Sequence, residues 1–213
     1  MSRAGPTIAI VDYQAGNLRS VHKALEKVGA RPVITSDARA IEDADGVVFP
    51  GQGACDSSMR QLKARGLVSP IRASIAGGKP FLGVCLGLQL LLDGSDEGDE
   101  PGLGVLAGRV RALPRELGQK IPHMGWNRVE LCGSHPVLAG IPSGSHFYFV
   151  HSFYADPDDR SVVAGTTFYG IDFCSAVAWD NAVAVQFHPE KSGAMGLRIY
   201  ENFVRQITAR VRA

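Results

Sequence analysis

The chain has 213 residues, with 22 Lys and Arg against 21 Asp and Glu and a formal net charge of +1. Hydrophobic residues make up 45% and charged residues 20% of it, a globular composition that excludes a disordered tail, a fibrous repeat and a coiled coil. Charge this even gives no overall bias toward nucleic acid or an anionic membrane, and no apolar run reaches the roughly 20 residues of a bilayer span.

The N-terminal residues lack the basic-then-apolar pattern of a secretory leader. A cytoplasmic location is therefore expected. Thr7 to Val11 reads as a strand, followed by turn chemistry from Asp12 to Asn17. Leu18, Val21, Leu25 and Val28 then recur at helical spacing, closed by Gly29. Arg31 to Thr35 predicts a second strand and Ile41 to Ala44 a short helix or turn. Gly46 to Phe49 is a third strand, ending in the turn Pro50-Gly51-Gln52-Gly53. Helices are predicted over Ser57 to Gly66 and Val68 to Ala76, a strand over Lys79 to Val84, and a helix over Leu86 to Leu92. Asp93 to Gly102 is acidic and Gly-rich, and reads as a solvated loop or part of a site. Beyond residue 104 short strands follow one another: 105–113, 127–131, 147–150, 162–167, 174–179 and 182–187. Leu197, Tyr200, Val204 and Ile207 mark a closing amphipathic helix.

Alternating strands and helices predict parallel pairing, and the later strands an antiparallel meander that continues or flanks the sheet. The expected fold is α/β: an open, mostly parallel, mixed sheet flanked by helices. No repeat or linker divides the chain, so residues 1–213 are expected to form one domain.

The four cysteines, Cys55, Cys85, Cys132 and Cys174, form no CxxC pair. A paired-cysteine zinc site is excluded on that ground, a disulfide framework is not expected of a cytosolic chain this long, and no metal or cofactor is expected. Cys85 is set apart by its frame, Gly83-Val84-Cys85-Leu86-Gly87, between an apolar strand and a predicted helix. This is a nucleophile-elbow pattern with cysteine as the nucleophile. The flanking glycines permit a sharp turn, and the following helix points its N-terminus at the sulfur. A lone cysteine is more often a small core residue; the two glycines and the strand-to-helix placement favour the nucleophile.

A thiol nucleophile needs a base. Of six histidines, His188 ends a strand and opens His188-Pro189-Glu190. Pro189 holds His188 extended, so residues 188 and 190 project to one side, with Glu190 placed to orient the imidazole. Alone, that tripeptide reads more readily as a solvated surface turn; beside the Cys85 elbow the functional reading is favoured. The Gly-rich turn Pro50 to Gly53, at a strand's carboxyl end, can present backbone N–H groups to an oxyanion. No phosphate-binding glycine pattern is present. From the residues alone, a cysteine hydrolase of peptides or esters and a non-catalytic scaffold both stay open.

Pro80 to Leu91, with Cys85 at its centre, resembles the nucleophile motif of the class I (triad-type) glutamine amidotransferases, and Gln186 to Glu190 their His/Glu motif. Four further segments, Asp12 to Ser20, Pro122 to Asn127, Tyr148 to Phe153 and His188 to Ser192, are similar to one branch of that family, the glutaminase subunits of imidazole glycerol phosphate synthases. The resemblance implies hydrolysis of L-glutamine to glutamate and ammonia. Cys85, His188 and Glu190 are the implied triad. Leu86 and the Gly51-Gln52 turn supply oxyanion N–H groups, and Gln89, Glu97 and Ser152 bind glutamine. Glu97 offers a carboxylate for the α-ammonium, or is a surface acid of its loop. Ammonia is implied to pass to a separate (βα)₈-barrel cyclase subunit in a heterodimer, met through Asn17, Met124, Trp126, Tyr148 and Lys191. Plain core packing is the competing reading for Met124 and Trp126. Gln52 departs from the family pattern, at a position where other members can carry Val.

Overall fold

The computed structural model describes residues 5–14 and 16–212. Met1 to Ala4, and Ala15 of the Asp12 to Asn17 turn, lie outside the described residues. The strands are β1 (Thr7–Val11), β2 (Arg31–Thr35), β3 (Gly46–Gly51), β4 (Phe81–Cys85), β5 (Gly94–Ser95), β6 (Gly108–Ala112), β7 (His123–Leu131), β8 (Ser145–His151), β9 (Phe153–Pro157), β10 (Val163–Phe168), β11 (Asp172–Trp179) and β12 (Ala182–Val185). The helices are α1 (Leu18–Lys27), α2 (Ala38–Asp43), α3 (Cys55–Ala64), α4 (Val68–Ala76), α5 (Leu86–Gln89) and α6 (Gly193–Arg212).

One sheet runs β2-β1-β3-β4-β12-β11-β10-β7-β8, with β5, β6 and β9 on a side branch. The five strands from β2 to β12 pair in parallel, and those beyond are antiparallel. The meander therefore continues the sheet. Alternate residues of the parallel strands enter opposite cores. Ile8, Ile10, Val48, Leu82 and Val84 pack with Val21 and Leu25 of α1 and Ile199 and Phe203 of α6. Ala9, Val11, Val47, Phe49 and Phe81 pack with Ile41 of α2, Met59 and Leu62 of α3, and Ile71 and Ile75 of α4. Burial on both faces explains the unbroken apolar runs of these strands.

Two expectations are corrected, and one strand is new. The helix after Cys85 is a single turn, Leu86–Gln89, rather than running to Leu92. The carbonyls of Leu90, Leu91 and Leu92 accept instead from the N–H groups of residues 103–106, so the helical ladder has no acceptors left there. Strand β3 continues through Pro50 and Gly51, with Gly51 in register with Cys85. The turn thus begins at Gln52. The sequence reading also missed β9, whose polar Tyr154 and Asp156 and terminal Pro157 obscure the pattern. It pairs along its length with β6.

Candidate active site

Cys85 ends β4 with φ 55° and ψ −109°. This is a left-handed conformation that costs a non-glycine residue about 1–3 kcal/mol and persists only where packing enforces it. Gly87 shows how the elbow is enforced, because a Cβ there would run into the carbonyl oxygen of Phe49 on β3. With α5 reduced to one turn, little helix dipole reaches the sulfur. Its polar surroundings are side chains. Gln186 Nε2 donates to Cys85 Sγ at 3.7 Å, and His188 lines the same pocket.

His188 Nδ1 lies 2.9 Å from Glu190 Oε1, and the side chains of both residues are 2% exposed. His188 itself is extended, but Pro189 opens a 3-10 turn over Pro189–Lys191, and that turn, rather than the expected alternation of an extended chain, brings the two side chains together. Burial works against the imidazolium, but Cys85 on one side and Glu190 on the other outweigh it and raise His188 to about 9. Asn17 Nδ2 donates to the same Glu190 oxygen at 3.0 Å. This side chain, expected only at a partner interface, is therefore attached to the His–Glu pair.

The pocket has a volume of about 380 Å³, within the range of small-molecule sites. Cys85, Leu86, Gln52, Gln89, Glu97, Ser152, His188 and Lys191 all line it. Gly51 does not line it but is paired with Cys85 across β3 and β4, and a Cβ there would strike the Tyr13 hydroxyl and the Leu86 side chain. Two of the expected glutamine-binding residues carry structural bonds as well. Gln89 Nε2 donates to the Phe153 carbonyl at 2.8 Å and to Gln186 Oε1 at 3.0 Å, and its Oε1 accepts from the Cys55 thiol at 3.8 Å. Glu97 Oε2 accepts from the Cys55 N–H at 2.7 Å, at the start of α3. Burial pushes Cys55 and Cys174 up to about 12, which keeps them thiols. Cys132 is exposed. Among the described residues no group of three or more His, Cys, Asp or Glu is placed to hold a metal ion.

Sequence reasoning assigned no role to His123 or Gln186. His151 Nδ1 is 2.8 Å from the Phe153 carbonyl and His151 Nε2 is 2.9 Å from His123 Nδ1. Burial lowers His151 to about 3 and His123 to about 4, so both rings are neutral. A carbonyl only accepts, which places the His151 proton on Nδ1 and makes Nε2 the acceptor. His123 then donates from Nδ1, and its Nε2 accepts from Asn127 Nδ2 at 3.2 Å. The chain of bonds runs one way, from β7 to the pocket wall. Each ring was visible in the sequence, but their pairing across β7 and β8 was not.

Met124 and Trp126, 61% and 56% exposed, stand one beyond the other on β7, against the core-packing reading. Trp126 meets the Tyr148 ring edge-on at 6.2 Å, and Lys191 Nζ sits 5.7 Å from the centre of that ring. Tyr148 is tied to the site through its backbone, its carbonyl accepting from the His188 N–H at 2.9 Å.

The glutamine amidotransferase class-I family model matches residues 9–207. The imidazole glycerol phosphate synthase subunit HisH of Nostoc punctiforme is 49% identical over 98% of this chain and 100% of its own length. Its counterpart in Gloeothece citriformis is 51% identical over 97% of this chain and 98% of its own length. PurLQS from Thermotoga maritima superposes with a TM-score of 0.73 at 19% identity, covering 97% of this chain and 99% of that one. A further solved structure, described as a glutamine amidotransferase, gives 0.73 at 20% identity, over 94% and 98%. At those identities the two structures speak for the fold.

Proposed function

The chain belongs to the class-I glutamine amidotransferase family, and from that premise we propose how its site works. Its activity is that of the glutaminase subunit of an imidazole glycerol phosphate synthase. It hydrolyses L-glutamine to glutamate and ammonia. The ammonia passes to a cyclase subunit that makes imidazole glycerol phosphate and aminoimidazole carboxamide ribotide in histidine biosynthesis.

In our reading Cys85 attacks the side-chain amide carbon of glutamine as a thiolate. The carbonyl oxygen takes the negative charge and is held by the Leu86 N–H and an N–H at Gly51 or Gln52. His188 gives its proton to the amide nitrogen, the C–N bond breaks, and ammonia leaves a thioester on Cys85. Water then attacks the thioester as His188 takes a proton from it, and Cys85 departs as thiolate. Glu190 keeps the imidazole oriented and stabilises its charge. Gln89, Glu97 and Ser152 bind the amino-acid end of glutamine, Glu97 facing the ammonium. The observation that carries this reading is the meeting, in one pocket, of the strained Cys85 with a buried His188–Glu190 pair.

We take residues 1–213 as one amidotransferase domain, supported by the single sheet. Among the described residues no helix is long and apolar enough to cross a membrane, which agrees with work in the cytoplasm. The cyclase partner is read as a (βα)₈ barrel in a heterodimer. It docks on Met124, Trp126, Tyr148 and Lys191, with Asn17 reached from the same side. Exposed Met and aromatic residues are what interface cores favour. Docking is also read as the step that aligns the Gly51-Gln52 backbone, so the chain alone turns glutamine over slowly.

The test is Cys85→Ala in the complex. Glutamine-dependent synthesis is expected to vanish while synthesis from added ammonium salts continues. Loss of both would refute the division of labour.

A further inference from the structure

Behind the triad two buried polar atoms lack partners. Among the described residues nothing hydrogen-bonds to Oε2 of Glu190 or to the hydroxyl of Tyr200, and both atoms are sealed from solvent. Tyr200 stands on α6, fully buried. That helix packs against the 189–191 turn that carries Glu190. The other carboxylate oxygen is already occupied, by His188 Nδ1 at 2.9 Å and Asn17 Nδ2 at 3.0 Å. One orphan is a donor and the other an anionic acceptor. Leaving both buried and unpaired is costly, and a single bond between them removes both costs. Burial first, and then the charge of Glu190 nearby, raise the Tyr200 hydroxyl well above its ordinary range, as expected of a neutral phenol facing a carboxylate. Glu190 and Tyr200 also share the wall of one cleft with Lys23 and Lys27 of α1.

Building on the triad reading above, we propose that Tyr200 is a positioning residue of the reaction: its hydroxyl donates to Oε2 of Glu190 and fixes the carboxylate that orients His188. Glu190 is then held by donors from three separate segments: Asn17 before α1, His188 on its own turn, and Tyr200 on α6. Its charged and titratable surroundings are Lys23 and Lys27 from α1, Tyr200 from α6, His188, and Cys85 beyond the imidazole. Tyr200 does not line the Cys85 pocket, so its effect reaches the chemistry only through Glu190. The final helix thereby acts on the active site, where the sequence presents it only as a closing amphipathic helix.

The experiment uses Tyr200→Phe in the intact complex with its cyclase subunit and acceptor substrate, following glutamine hydrolysis against pH. Phenylalanine keeps the packing and deletes the donor. The expected result is a fall in kcat of roughly 10-fold, as for loss of one hydrogen bond to a charged group, with KM unchanged. The acid limb of the kcat profile moves to higher pH, because a carboxylate that loses a donor becomes easier to protonate. A second protein, with 3-fluorotyrosine at position 200, strengthens the donor at nearly constant shape, and its acid limb moves to lower pH. An unmoved limb in both proteins overturns the proposal, whether or not kcat falls, since a packing role leaves that limb in place. A wild-type complex with no glutaminase activity would instead sink the amidotransferase reading itself.

Discussion

The two halves of the sheet are built to opposite specifications. The parallel half is buried on both faces along β1, β3, β4 and β12, with β2 as its exposed edge, and presents Cys85 at a strained elbow. The antiparallel half ends in β7 and β8, with Met124 and Trp126 facing outward. His188 stands where they meet, just beyond β12, and its N–H donates to the Tyr148 carbonyl on β8. The buried half can hold strain because every neighbour resists relaxation. The exposed half offers apolar surface at Met124 and Trp126, of the kind that marks interaction sites. An enzyme that makes a reactive product for another subunit needs both properties in one chain.

Four measurements break or sharpen this contrast. The largest effect is expected from Glu190→Gln. Without the carboxylate only Cys85 still opposes burial and His188 falls from about 9, so kcat for glutamine should drop by about 10³–10⁴. A drop below tenfold would mean that Glu190 is not the orienting acid. Next is Gly51→Ala, whose new methyl meets the Tyr13 hydroxyl and Leu86. The displaced strand end should lose on the order of 10² in kcat through a spoiled oxyanion site, while synthesis from ammonium salts is kept. Unchanged glutamine turnover would remove Gly51 from that site.

The exposed half should respond differently. Trp126→Ala is expected to weaken the complex by about 30-fold in Kd, the cost of truncating an aromatic anchor. The melting temperature of the free chain should stay within about 2 °C of wild type. A melting temperature that falls while Kd holds would make Trp126 a packing residue. The smallest effect concerns pH. His123 and His151 are lowered to about 4 and about 3, so below the ordinary histidine value of 6.5 the unfolded chain binds more protons and stability declines. His188 is raised to about 9, so its contribution is complete below 6.5 and fades as pH climbs through 9. A melting temperature highest near neutrality is expected, with the alkaline decline flattened in Glu190→Gln. Thermal melts from pH 5 to pH 10 check both slopes, and an unchanged alkaline slope in the variant would contradict the assignment.

Much of the site could be read from the chain because the parts are adjacent in it. The elbow is five consecutive residues, and His188 and Glu190 are two apart. Such patterns survive in a linear string because local backbone geometry produces them. Three features were out of reach. Asn17 meets Glu190 across 173 positions, Gln89 meets Gln186 across 97, and His123 meets His151 through the pairing of β7 with β8. The over-long helix after Cys85 failed for the same reason. Its leucines suit a helix, but the 103–106 segment takes their carbonyls.

By itself, then, the sequence determined the chemistry: a thiol on a turn, an imidazole, a carboxylate and the order in which strands and helices present them. Those follow from φ/ψ preference, side-chain period and residue type, all local quantities. Tertiary structure decided which side chains the reaction can use. It bound Gln89 and Glu97 into the framework, turned Asn17 and Tyr200 toward Glu190, left Trp126 outside and Tyr13 within. The reason is that hydrogen-bond satisfaction and burial are settled only when segments distant in the chain compete for the same interior.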